Sequence, residues 1–111
     1  MAKRRPDKER ERLQALIEEA IVDCYNEEEQ HIGLLTMVED NVVCPFRARV
    51  IGEEVEVTGF EHARGFPGLK AVCQYKGKKY LVDITSLEWV KPRPKGFEWV
   101  EAYFAWRGDK L

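Results

Sequence analysis

Apolar residues Leu13, Leu16, Ile17, Ala20, Ile21, Cys24 and Tyr25 recur at helical spacing, so one stripe runs along a helix predicted from about Pro6 to Tyr25. Its first turns, Asp7 to Arg12, are charged all round, and residues 1–5 are expected to be disordered. Asn26 then precedes Glu27, Glu28 and Glu29, the pattern of an N-cap followed three positions later by a capping-box glutamate. Ile32, Leu35, Thr36 and Val38 continue at helical spacing and predict a second helix from Glu27 to Val38. Gly33 inside it costs about 1 kcal/mol relative to alanine.

After Asp40 and Asn41 the period changes to two, with Cys44, Phe46, Ala48 and Val50 on one side of a strand and Arg47 and Arg49 on the other. Pro45 brings no amide proton, which suits an edge or a bulge. Gly52 marks a turn, and the alternating run Glu54 to Thr58 is expected to stop at Gly59, with a loop from Glu61 to Gly68. Leu69 to Tyr75 and Lys79 to Ile84 read as strands of a tight hairpin. Thr85 to Leu87 suits one helical turn, Glu88 to Lys91 a last short strand, and Phe97 to Trp106 a closing helix with Trp99, Tyr103 and Trp106 on one side. The expectation is an α+β fold: a small five-stranded antiparallel curled sheet, an SH3-like barrel, flanked by N-terminal helices and a C-terminal helix. One domain over 1–111 is expected, helical over 6–40, β over 42–91 and helical again over 97–107.

Composition narrows the class. The chain has 111 residues, 44% of them hydrophobic, enough for one small core. Three cysteines without close spacing read as reduced thiols in a cytoplasmic protein rather than a disulfide framework or a zinc knuckle. The opening residues are charged where a secretion signal would need an apolar stretch, and no apolar run approaches the roughly 18 residues of a membrane span.

Charge is segregated although the net charge is only −2. Residues 18–61 hold twelve carboxylates against two cations, Arg47 and Arg49, while both flanks are basic. Such a field suits a hard cation or a basic partner, and equally a solvated surface. The two ends of the second helix differ in meaning. Glu27, Glu28 and Glu29 sit where the helix dipole favours negative charge by about 0.3–1 kcal/mol and need no ligand. Glu39 and Asp40 sit where the dipole opposes them and the last carbonyl oxygens lack partners. With the Asn41 amide they form the all-oxygen donor set that Ca²⁺ prefers, although Asp40 and Asn41 also suit a polar turn. About 17 Å of helix separates Glu28 from Glu39, so the two ends imply separate sites, the second completed by Glu53, Glu54 or Glu56 if the sheet brings them near. No EF-hand loop is present.

EEEQ at 27–30, Gly33, VEDNVVCPFRARV at 38–50, VEVTGF at 55–60, LVDITSLEWV at 81–90 and EWVEAYFAWRG at 98–108 together resemble the CcbP-type calcium-binding family, over nearly the whole chain after residue 12. The resemblance implies a compact α+β domain with helices flanking five strands, binding Ca²⁺ through surface carboxylates. It implies ligands at Asp40 and its neighbour Glu39, and places the family's second segment on Glu28, Glu29 and Gln30. The chain departs from the family in the loop after the VEV strand, which reads HARGFPGLK with His62, Arg64 and Lys70 where acids are usual.

Two rival classes of function compete with calcium binding. Phe60, Phe66, Tyr75 and Tyr80 on an SH3-like barrel, with Lys76, Lys78, Lys79, Lys91, Arg93 and Lys95, could hold a peptide or nucleic acid, though lysines also guard sheet edges. Catalysis has little support, because His31 and His62 have no partner at dyad spacing and adjacent exposed acids have no reason to split their pKa values. The sequence therefore predicts a non-enzymatic Ca²⁺ buffer or sensor, with a protein partner as a further option and neither nucleic acid nor membrane among its ligands.

Overall fold

The computed structural model describes residues 7–62 and 68–108, so the expectation of disorder over 1–5, together with Arg64 and Phe66, lies outside the described residues. Two helices, α1 (Asp7–Ile21) and α2 (Glu27–Asn41), precede strands β1 (Phe46–Val50), β2 (Glu53–His62), β3 (Leu69–Tyr75) and β4 (Lys78–Asp83). A 3-10 turn over Ile84–Ser86, the two-residue β5 (Glu88–Trp89) and α3 (Phe97–Arg107) complete the chain. The strands form one antiparallel sheet in the order β4-β3-β2-β1-β5, and the three helices pack on each other.

The fold is α+β, but the sheet is open and does not close into the expected SH3-like barrel. Its two edges are unequal, since β5 has only two residues and β4 has six. Phe46, Ala48, Val55, Val57, Leu69, Ala71 and Cys73 point to one face and are buried. Leu13, Leu34, Leu35, Val38, Val100 and Tyr103 of the helices belong to the same core. Helices thus cover the apolar face that barrel closure would otherwise have to bury. The other face is polar, with Arg47 opposite Glu56 and Arg49 opposite Glu54, and Arg47 forms an ion pair with Glu54 on the diagonal.

Helix ends follow local chemistry. Asn26 accepts the Glu29 amide at 2.8 Å, and the Glu29 carboxylate accepts the Tyr25 amide at 2.9 Å. That second bond takes an N–H that would have extended α1, which therefore ends at Ile21 rather than Tyr25. Gly33 has a packing reason, because a Cβ there would lie 2.6 Å from the Ala20 carbonyl oxygen, where α1 and α2 pass each other. The three thiols are free; burial pushes those of Cys44 and Cys73 up.

Strand β2 runs through Gly59, where the sequence predicted a stop. The register shifts between Val57 and Gly59, leaving Thr58 as the extra residue of a bulge. The bulge also reverses the phase of alternation. Val55 and Val57 face the helices before it, whereas Phe60, opposite Ala71, and His62, opposite Leu69, face them after it. Without that extra residue, Glu61 would point towards the helices and His62 away.

Candidate metal centre

Both ends of α2 carry the acids singled out from the sequence. At the N-terminal end, Glu29 is engaged in the cap, Glu28 is exposed without a partner among the described residues, and Glu27 borders a cleft of about 730 Å³. Gln30, His31, Asp83, Tyr103 and Arg107 also line that cleft. His31 Nε2 lies 2.7 Å from the Tyr103 hydroxyl, and its ring packs 5.4 Å from those of Tyr103 and Trp106. Burial, then the Arg107 guanidinium, lowers the His31 pKa below its ordinary value, against the raising effect of Asp83 and Glu27. Asp83 accepts both the amide and the hydroxyl of Thr85 through one oxygen.

At the C-terminal end, α2 continues to Asn41, three residues beyond the predicted Val38. Glu39, Asp40 and Asn41 thus form the last turn of the helix itself. The Val38 carbonyl accepts the Val42 amide and the Met37 carbonyl accepts the Asn41 side-chain amide at 2.8 Å, so two of the expected free carbonyls already have partners. The Asn41 carbonyl is covered by Gly96, whose φ of +91° lets the backbone cross where a Cβ would lie 2.0 Å from that oxygen. The oxygens left open are chiefly the two carboxylates.

Those two carboxylates are answered differently. Glu39 Oε1 lies 2.7 Å from His62 Nε2, with both side chains substantially exposed. Asp40 is exposed and has no partner among the described residues. No lysine or arginine of the described residues pairs with either acid. The helper acids expected from β2 are elsewhere: Glu54 pairs with Arg47 at 3.2 Å, and Tyr75 donates to Glu53. His62 ends the strand that Glu53 begins, so Glu53 stands about 30 Å from the Glu39 corner at roughly 3.3 Å per residue. Glu56 is about 20 Å away on the same count. Sequence reasoning missed His62 as a neighbour of Glu39 because 23 residues separate them and the bulge that aims it has no sequence signature beyond Gly59.

A calcium-binding family model matches residues 14–107, nearly the whole chain. The chain belongs to the CcbP calcium-binding family. Two solved structures share the fold. The crystal structure of Anabaena CcbP is 19% identical, with a TM-score of 0.71 over 99% of this chain and 98% of that one. A calcium binding protein in the calcium-binding form is 20% identical, with a TM-score of 0.68 over the full length of both chains. A search among curated proteins gave no match. The CcbP family is described by calcium binding and not by a reaction.

The donor chemistry at the end of α2 suits this ion, since hard carboxylate oxygens are what Ca²⁺ takes and neither acid is tied to a permanent cation. Among the described residues no group of three or more His, Cys, Asp or Glu side chains converges as a metal site would, and Glu39 and Asp40 are the only two carboxylates of the described residues at this end of α2. The cations of the rival nucleic-acid reading do not form one track. Lys76, Lys78 and Lys79 lie at the β4 edge, whereas Lys91, Arg93 and Lys95 follow β5, four strand spacings or about 19 Å across the sheet.

Proposed function

We propose that this CcbP-family protein binds Ca²⁺ at the last turn of α2, with Asp40 as the principal carboxylate ligand, Glu39 as the second and the Asn41 side-chain oxygen beside them. The reading rests on one observation: two adjacent carboxylates stand at a helix C-terminus, against the dipole, with one unpartnered and the other held by an exposed imidazole. A divalent ion relieves that mismatch. When bound, it neutralises both anions and the partial negative charge of the helix end, and Glu39 exchanges His62 for the ion.

Two carboxylates make a modest site. Ion affinity follows ligand charge and rigidity, and a site of this kind belongs with weak binders of about 10⁻⁴–10⁻³ M, suited to sensing or buffering high local calcium. Glu28 and Glu29 provide the second, weaker position implied by the family pattern. There Glu29 must release the Tyr25 amide before it can ligate, which lowers affinity by the worth of the cap. Calorimetric titration with Ca²⁺, repeated on Asp40→Asn and Glu28→Gln and with excess Mg²⁺, tests both assignments. Heat lost in Asp40→Asn and retained in Glu28→Gln supports the α2 C-terminus; the reverse moves the site to the other end.

A further inference from the structure

We infer that the β4 edge pairs with the same edge of a second copy, joining two five-stranded sheets into one continuous ten-stranded sheet about a two-fold axis at Leu81. The inference is independent of where calcium binds. It starts from the phase of the backbone hydrogen bonds. The two-residue turn Lys76-Gly77, with φ of +50° and +77°, makes Tyr75 and Lys78 a hydrogen-bonded pair, and the register then runs unbroken to Lys70 and Asp83. Lys78, Tyr80 and Val82 therefore turn their amides and carbonyls towards β3. Lys79, Leu81 and Asp83 turn theirs outward, and β4 pairs only with β3 among the described residues.

An isologous antiparallel pair keeps both helix layers on one face, so each residue must meet a residue of equal parity in the second copy. Only one register then uses all three outward residues: Leu81 opposite Leu81, and Lys79 opposite Asp83 twice over. It forms six backbone hydrogen bonds and brings Lys79 twice beside Asp83, whose Oδ1 holds Thr85 at the rim of the His31 cleft and whose second carboxylate oxygen is left for the lysine. A shift by two residues in either direction leaves one outward residue unmatched and sets a charged residue against Leu81. The edge is thus complementary to itself in charge as well as in hydrogen bonding. A lysine on an edge normally opposes strand addition, but here an acid at the matching position answers it. Within one chain, among the described residues, Lys79 has only a loose contact with Glu61 at 3.9 Å, between exposed side chains.

Side chains agree with the same register. Tyr80 and Leu81, 46% and 49% exposed, lie on opposite faces of β4 and are large apolar residues left open on an edge strand. In the pair, Tyr80 meets Val82 of the second copy on the helix side, and the two leucines meet on the other. Beneath the edge, Val55, Cys73, Tyr75, Tyr80 and Val82 border an apolar hollow of about 530 Å³, and pairing sets the hollows of both copies side by side. The opposite edge cannot do this, because β5 has two residues and Pro92 follows shortly after.

Sedimentation equilibrium of the full chain from micromolar to millimolar concentration tests the inference. A reversible monomer–dimer equilibrium is expected, with Leu81→Lys weakening the dimer at least tenfold. Lys79→Glu and Asp83→Lys should each weaken it similarly, because each sets like charges face to face. Their equimolar mixture should recover the parent affinity within about threefold, since only the heterodimer matches both charge pairs. Circular dichroism checks folding, and if Asp83→Lys loses the 3-10 turn that Asp83 caps, Asp83→Asn keeps the capping oxygen and should still weaken the dimer and flatten its salt dependence. A parent chain that stays monomeric at millimolar concentration overturns the inference, as does a dimer indifferent to Leu81→Lys or a mixture that fails to recover.

Discussion

His62 Nε2 stands 2.7 Å from Glu39 Oε1, joining the end of β2 to the last turn of α2. The contact exists because the bulge at Thr58 turns His62 towards the helices, and because α2 extends far enough to carry Glu39 as a helical residue. On the proposed assignment, the imidazole competes with calcium for that carboxylate.

Replacing His62 by alanine should therefore strengthen calcium binding. An exposed pair of this kind is worth about 0.2–1 kcal/mol, which corresponds to roughly a 1.5- to 5-fold tighter dissociation constant. Titration of the parent and His62→Ala proteins at one pH and ionic strength checks this, and unchanged or weaker binding would mean that His62 supports the site.

The His31 site gives a pH dependence. Burial, followed by Arg107, lowers its pKa in the fold below the ordinary value of 6.5. The unfolded chain then binds a proton where the folded chain does not, so stability is full above about pH 6.5 and falls as pH drops towards the folded value. Urea midpoints between about pH 5 and 7.5 should decline on the acid side in the parent. In His31→Gln the decline should be shallower, whatever its absolute stability.

Gly33→Ala tests the helix crossing. Helix propensity alone would stabilise that change by about 1 kcal/mol. The added Cβ would lie 2.6 Å from the Ala20 carbonyl, a backbone atom that moves only with α1. Net destabilisation of about 1–3 kcal/mol is expected in chemical denaturation, and a gain in stability would show that the helices separate freely.

Glu29→Ala should cost about 0.5–2 kcal/mol of stability, because it leaves the Tyr25 amide without its carboxylate. It should leave the main calcium heat in place. A large loss of calcium binding with little loss of stability would instead make Glu29 a ligand first and a cap second.

Much of the architecture was legible in the chain. The stripe from Leu13 to Cys24, the Asn26–Glu29 cap and the tight connection between Tyr75 and Lys79 each act over a few residues, and each produced an element close to its predicted position, the turn itself being one residue shorter because Lys78 already pairs with Tyr75. What could not be read depends on distant partners. Gly59 looked like a terminator because glycine weakens a strand locally, yet pairing with β3 carries the strand through it as part of a bulge. Barrel closure looked plausible from five short strands, but α3, with Phe97, Trp99, Val100 and Tyr103 buried, fills the face that closure would have sealed. The acids Glu39 and Asp40 were legible from charge and dipole alone. Their surroundings were not, since His62 arrives from 23 residues away and Gly96 from the segment before α3.

The most direct measurement is the heat of Ca²⁺ titration into the parent protein and into Asp40→Asn, with folding of both verified by circular dichroism. Saturable binding in the parent that falls at least tenfold in a folded Asp40→Asn variant is the predicted result. Equal binding by both proteins, or none by the parent, would contradict the assignment of calcium to the end of α2.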